Sequence, residues 1–263
     1  MTAYAHISTT LMVAEFVVLL TALLLGFRLE RIHPITKLNY LLWISTVSTS
    51  NLYYLMHNLQ NKGLYLPFSV MDVVDIGIYV LLPAALQNHF SISLKKWTPA
   101  GTAGALFGAV NIWLWILWSG KWLGNLMNAV PFIYLMFICA RSLQESGAFT
   151  RTEAVCLLSA LTVAMIGESI LYFMTGTVYM VLDILGYIVL FSCTLYFIFK
   201  TVDALKRGSG DKAFALSASS YAMSAVTGYL SYEPIYFVAE GMVILSMFLT
   251  YLALRKRDRE AVT

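Results

Sequence analysis

The chain has 263 residues, of which 59% are hydrophobic and only 12% charged, with a mean hydropathy of +0.74. That balance excludes an ordinary water-soluble domain. The formal net charge of +3 is carried in short clusters rather than in one patch, which leaves no basis for a nucleic-acid partner.

Apolar runs bounded by polar or Gly/Pro clusters fall at about 9–27, 39–57, 66–88, 99–118, 122–141, 154–174, 178–199, 213–231 and 235–254. Each is long enough to cross roughly 30 Å of hydrocarbon at 1.5 Å per residue. The expected fold is therefore all-α, a polytopic membrane helical bundle of about nine transmembrane helices forming a single integral domain over 1–263. The first run has no basic residue before it and no small-residue cleavage site, so it reads as a retained helix. Pro83 and Pro131 sit inside the third and fifth runs and should kink them. Trp113, Trp115, Trp118 and Trp122 cluster between the fourth and fifth runs, as an interfacial aromatic belt would.

The connections are short, with no room for a soluble catalytic domain. The longest, about 14 residues around RGSGDK, lacks the spacing of a phosphate-binding loop and reads as a flexible connector. The eighth run, FALSASSYAMSAVTGYLS, is rich in Ala, Ser and Gly, a composition suited to a helix surrounded by other helices. Three cysteines, Cys139, Cys156 and Cys193, lie toward the same end of their runs, and no disulfide framework is expected.

Charge placement orients the bundle. With the N-terminus outside and nine crossings, the inner segments hold 28–37, 95–96, 141–151, 200–212 and 255–259. Those segments contain all but Lys62 and Lys121 of the 17 basic residues. This is the bias of the positive-inside rule, and it puts the C-terminus in the cytoplasm. The chain has no N-x-[ST] sequon, which accords with a bacterial inner (plasma) membrane.

The acids give the functional signal. Glu15 lies in the first run, Asp72 and Asp75 in the third, Glu168 in the sixth, Asp183 in the seventh and Glu240 in the ninth, all in the half nearer the outside and with no Lys or Arg at that depth. Asn125 and Asn128 supply amides at a similar depth in the fifth run. Ionisable groups inside a membrane are costly, at roughly 2.5–3.5 kcal/mol each on an insertion scale. These groups must be protonated, neutralised by a cation, or hydrated in a cavity. An acid and a tyrosine four residues apart share a helix face, and this pairing recurs as Asp75/Tyr79, Glu168/Tyr172, Asp183/Tyr187 and, reversed, Tyr236/Glu240. A phenol beside a carboxylate can hydrogen-bond it, and its ring face can hold an organic cation. Two hairpins, 51–86 and 168–192, also resemble one another, LYYLM…DIGIYVLL against LYFM…DILGYIVLF, aligning Asp75 with Asp183.

The helix dipole offers a plainer account of Asp183 and Glu240, since an acid in the first turn of a helix is favoured. His6 and His57 show no metal-ligand spacing, and neither a metal nor a cofactor is expected. The reading that follows is a carrier or binding protein for a cation or a proton-coupled small solute. Asp72, Asp75, Glu168 and Asp183 would form one outward-side cavity lined by Tyr79, Tyr172 and Tyr187, with Glu15 and Glu240 secondary. Two alternatives use the same cavity: a receptor or accessory subunit signalling to a cytoplasmic protein partner, and an intramembrane lipid-modifying enzyme. No nucleophile and base are paired in sequence, which weighs against catalysis.

Overall fold

The structure, a computed structural model, describes residues 3–59, 70–120, 122–230 and 233–260, without the side chains of 3–5, 57–58, 70–72, 228–230 and 233–236. Among the described residues there are nine helices and no strand: α1 (Ala3–Gly26), α2 (Pro34–Leu59), α3 (Val70–His89), α4 (Pro99–Ser119), α5 (Trp122–Glu145), α6 (Arg151–Leu171), α7 (Thr177–Lys206), α8 (Gly210–Leu230) and α9 (Glu233–Glu260). Each matches one apolar run. Six of them, α1, α4, α5, α6, α7 and α9, are long and apolar enough to cross a membrane by length and composition. The chain is accordingly a helical membrane protein.

Local chemistry sets the ends. Thr98 caps α4 by accepting the Gly101 N–H, Pro99 opens the helix, and Gly120 closes it in the left-handed region at φ 66°. At α6, Thr150 and Glu153 form a reciprocal capping box. The expected flexible connector around RGSGDK is instead a tight joint. α7 runs to Lys206 and α8 starts at Gly210, with Gly208 at φ 73° between them. A Cβ on Gly210 would lie 2.7 Å from the Arg257 backbone, so only glycine lets α8 begin against α9. The basic residues that resemble a loop in the sequence are the last turns of helices that continue past the apolar stretch.

α8 sits at the centre, packed on α3, α4, α5, α7 and α9. Ala213, Phe214, Ala215, Leu216, Ala218 and Ala222 are all buried, as are the hydroxyl residues between and beyond them. Those hydroxyls find partners without water. Ser219, Ser224 and Thr227 donate to the carbonyls of Ala215, Ser220 and Met223, Ser220 meets Ser246 of α9 at 2.7 Å, and Thr227 meets Thr194 of α7 at 3.2 Å. Small side chains allow close approach and the hydroxyls join the helices. α4 and α5 approach as closely: a Cβ on Gly104 would stand 2.4 Å from the Met136 carbonyl oxygen.

The basic ends of the helices are tied by polar contacts. Asp258 near the end of α9 accepts the N–H groups of Arg31 and Ile32 at 2.6 and 3.2 Å. Asp211 lies 2.8 Å from His89 Nε2 and 2.9 Å from Arg257 Nε. The hydrogen bond with His89, aided by the charges of His89 and Arg257, holds the Asp211 carboxyl below its ordinary value despite partial burial. Buried Arg141 donates to the Lys96 carbonyl and, at 2.8 Å, to Glu145. Toward the other end, Trp113, Trp118 and Trp122 face outward while Trp115 turns into the core against Phe132, 4.5 Å between ring centroids. Trp115 is thus a core residue and not a member of the expected aromatic belt. Cys139 and Cys193 are buried and Cys156 exposed, all as free thiols.

Candidate functional site

Helical spacing brings five helices to one cavity of about 470 Å³. α1 supplies Met12 and Glu15, three residues apart, and α2 supplies Val47, Asn51 and Tyr54 at intervals of four and three. α3 gives Asp75, Ile78 and Tyr79, α8 gives Tyr221 and Ser224, and α9 gives Glu240, Val243 and Met247. The packing of α1 on both α2 and α9 closes the ring.

Glu15 is the most enclosed of the acids here, 5% exposed, and accepts a hydrogen bond from the Asn51 side-chain amide. Glu240 of α9 lines the same cavity, so two carboxyl side chains from helices far apart in the chain share one space. Asn51 is 6% exposed, and its Oδ1 has no hydrogen-bond partner among the described residues. Tyr79 and Tyr221 are held in place by edge-on contacts with Phe132 and Trp43, at 5.3 and 5.0 Å between centroids. The cavity therefore combines three carboxyl side chains, an amide, three phenols and several apolar side chains, with no Lys, Arg or His lining it among the described residues.

The remaining acids lie elsewhere. Glu168 of α6, 2% exposed, meets α7 where Gly186 leaves room: a Cβ there would be 2.6 Å from Glu168 Oε1, which has no hydrogen-bond partner among the described residues. Asp183, half-buried, hydrogen-bonds Tyr187 one turn on. No α6 or α7 side chain lines the five-helix cavity. The single cavity expected from the sequence is thus two sites, because α6 packs on α7 and α4 and not on α1, α2 or α3. The two aspartates aligned by the hairpin resemblance fall one in each.

Asp72 stands one turn before Asp75 on α3, with its side chain outside the described residues, as is that of Tyr236. Tyr172 does not join Glu168. It caps α6, is 42% exposed and packs on Trp118. Asn125 bonds Ser119, and Asn128 bonds the Gly124 carbonyl within α5. The helix-dipole account of the acids also loses ground, since Asp183 and Glu240 both lie beyond the first turns of α7 and α9. Asn51, Tyr54, Tyr221 and Ser224 escape sequence reasoning. An amide inside an apolar run was the available sign for Asn51.

Among the described residues no three His, Cys, Asp or Glu side chains converge on a metal-sized point. The sequence Gly208-Ser209-Gly210-Asp211 has the GxGD spelling of intramembrane aspartyl proteases. Its aspartate faces His89 and Arg257, with no second aspartate against it among the described residues, so the two-carboxylate arrangement such chemistry needs is not formed there. The fold and cavity define a multi-helix membrane protein with a partly open cavity lined by carboxyl side chains. Comparison with protein-family models, with curated proteins and with solved structures gives no match.

Proposed function

We propose that this protein is a multi-pass membrane carrier or binding protein for a small solute bearing a protonated amine, seated between α1, α2, α3, α8 and α9 and exchanging with protons held by the carboxyls. The observation that carries this reading is a cavity of about 470 Å³ with three carboxyl side chains and, among the described residues, no basic one. A protonated amine supplies the missing positive charge and several N–H donors. The aromatic faces of Tyr54, Tyr79 and Tyr221 suit a cation, and Met12, Val243 and Met247 suit an apolar body. The spread of the carboxyls over three helices, α1, α3 and α9, suits a molecule better than a bare ion, which needs oxygens converging on one point.

The topology belongs to the same proposal: nine crossings, N-terminus outside and C-terminus cytoplasmic, in a bacterial inner membrane. It is supported by the gathering of basic residues at one end of the bundle and by the lack of a sequon.

The test is calorimetric titration of the purified protein in detergent with benzylamine at several pH values. Wild type should bind at one site and release protons on binding. Asp75→Asn should weaken binding at least about tenfold, which is about 1.4 kcal/mol. Glu168→Gln, in the other cluster, should not. Equal binding by wild type and Asp75→Asn, or none by either, would overturn the proposal.

A further inference from the structure

A second cavity, of about 640 Å³, lies between α4, α5, α6 and α8 in the half of the bundle near the basic ends. Its walls are apolar, with Ala103 and Phe107 on α4, Leu157 and Leu161 on α6, and Ala222 and Met223 of α8 as the floor. α4 and α6 touch only sparingly, which leaves a slot between them. Ser219, the polar residue deepest in the slot, spends its hydroxyl on the Ala215 carbonyl. The inner part therefore offers a polar ligand nothing to bind.

The dimensions and the mouth point to one occupant. Along α6 the lining runs from Arg151 to Leu161, ten residues and so about 15 Å, the depth of one leaflet of a hydrocarbon core about 30 Å thick. At the mouth, Arg151 is exposed and has no ion-pair partner among the described residues. The neighbouring acids are engaged: Glu153 with Lys200 at 2.8 Å and Tyr196 at 2.7 Å, Glu145 with Arg141 at 2.8 Å. Gln144 accepts the Thr98 hydroxyl at 2.9 Å through Oε1, which orients its amide group as a donor. A guanidinium and an amide thus stand over an apolar slot one leaflet deep.

We propose that this slot holds one acyl chain of an anionic phospholipid from the leaflet at the basic end, with its phosphate on Arg151 and Gln144. The planar guanidinium matches two phosphate oxygens, and the chain removes the apolar walls of α4, α6 and α8 from contact with looser lipid. The site is separate from the five-helix cavity and does not depend on what that cavity binds.

The test is native mass spectrometry of the delipidated full-length protein, titrated in mild detergent with dioleoylphosphatidylglycerol or dioleoylphosphatidylcholine. Wild type should retain one phosphatidylglycerol about fivefold more tightly than phosphatidylcholine, the advantage one basic residue gives at an anionic surface. Arg151→Gln should bring the two lipids level, and since Arg151 is exposed this variant leaves the packing intact. Ala103→Phe should fill the slot and abolish retention of both. Equal retention of the two lipids by wild type, or a phosphatidylglycerol preference that survives Arg151→Gln, would overturn the assignment. If Ala103→Phe fails to fold, the Arg151→Gln comparison decides alone.

Discussion

Replacing Gly104 by alanine adds one methyl group where α4 and α5 meet. That Cβ would lie 2.4 Å from the Met136 carbonyl oxygen, 2.7 Å from Ala140 Cβ and 3.0 Å from the Met136 carbonyl carbon. Carbon atoms in favourable contact stand about 3.5–4.0 Å apart, so α5 must retreat by about 1 Å. Backbone is what it meets, and no rotamer change can relieve the overlap. The retreat would also loosen the contacts at Gly101 and Gly108, where added Cβ atoms would be 2.6 Å from Phe137 and 3.1 Å from Ile133. Overpacking of this kind costs about 1–3 kcal/mol. Against it stands the better helix propensity of alanine, up to about 1 kcal/mol. Gly167→Ala in α6 supplies the same propensity gain with nothing within 4 Å of the new methyl. The difference between the two variants therefore isolates the packing cost. Unfolding in detergent, followed by tryptophan fluorescence, should show Gly104→Ala less stable than Gly167→Ala by about 1–3 kcal/mol. Equal stability would refute the close approach of α4 and α5.

Two further outcomes test the rest of the bundle. N-ethylmaleimide should modify one thiol per chain in the native protein, Cys156, and all three after denaturation; rapid native labelling of Cys139 or Cys193 would contradict their burial. Asp211 concerns the basic end. Its lowered carboxyl value means that its ionised form contributes stability above the ordinary aspartate value of about 3.9, and that this contribution fades as pH falls through the lowered value. The melting temperature of wild type in detergent should therefore exceed that of Asp211→Asn by a constant margin from pH 7 to about 5 and converge on it below about 4. A margin unchanged down to the most acidic pH would show that the His89 and Arg257 contacts do not stabilise the carboxylate.

Apolar run length placed every helix, because nothing but a helix satisfies its own backbone inside hydrocarbon. Small-residue composition likewise foretold that α8 would be surrounded by helices. The site was legible only within each helix. Spacing showed that Asp75 and Tyr79 share a face, but no periodicity says which helix that face meets, and the cavity shared by Glu15 and Glu240 joins helices at opposite ends of the chain. The same blindness merged two acid clusters into one. Four-residue spacing also misled at Tyr172: its backbone is still helical, but the ring at the end of α6 packs on Trp118 of α4 and not beside Glu168. Around RGSGDK, charge and glycine looked like slack chain, whereas the two glycines permit a sharp turn and a tight seam against α9.

The central place of α8 bears on how the molecule is assembled. It is among the less apolar helices, its hydroxyls complete their bonding against α7 and α9, and almost none of its middle surface is left for lipid. Alone in a bilayer it would have little to hold it across. Synthesis delivers it after seven other helices, and α9, its most extensive neighbour, follows directly through a short connection. The last two helices thus enter as a pair into a vacancy the earlier ones have framed. A ribosome-bound intermediate ending after α7 is expected to be an open arc, since α9 makes the contacts that bridge α1 and α7, with both the five-helix cavity and the floor of the apolar slot still unbuilt.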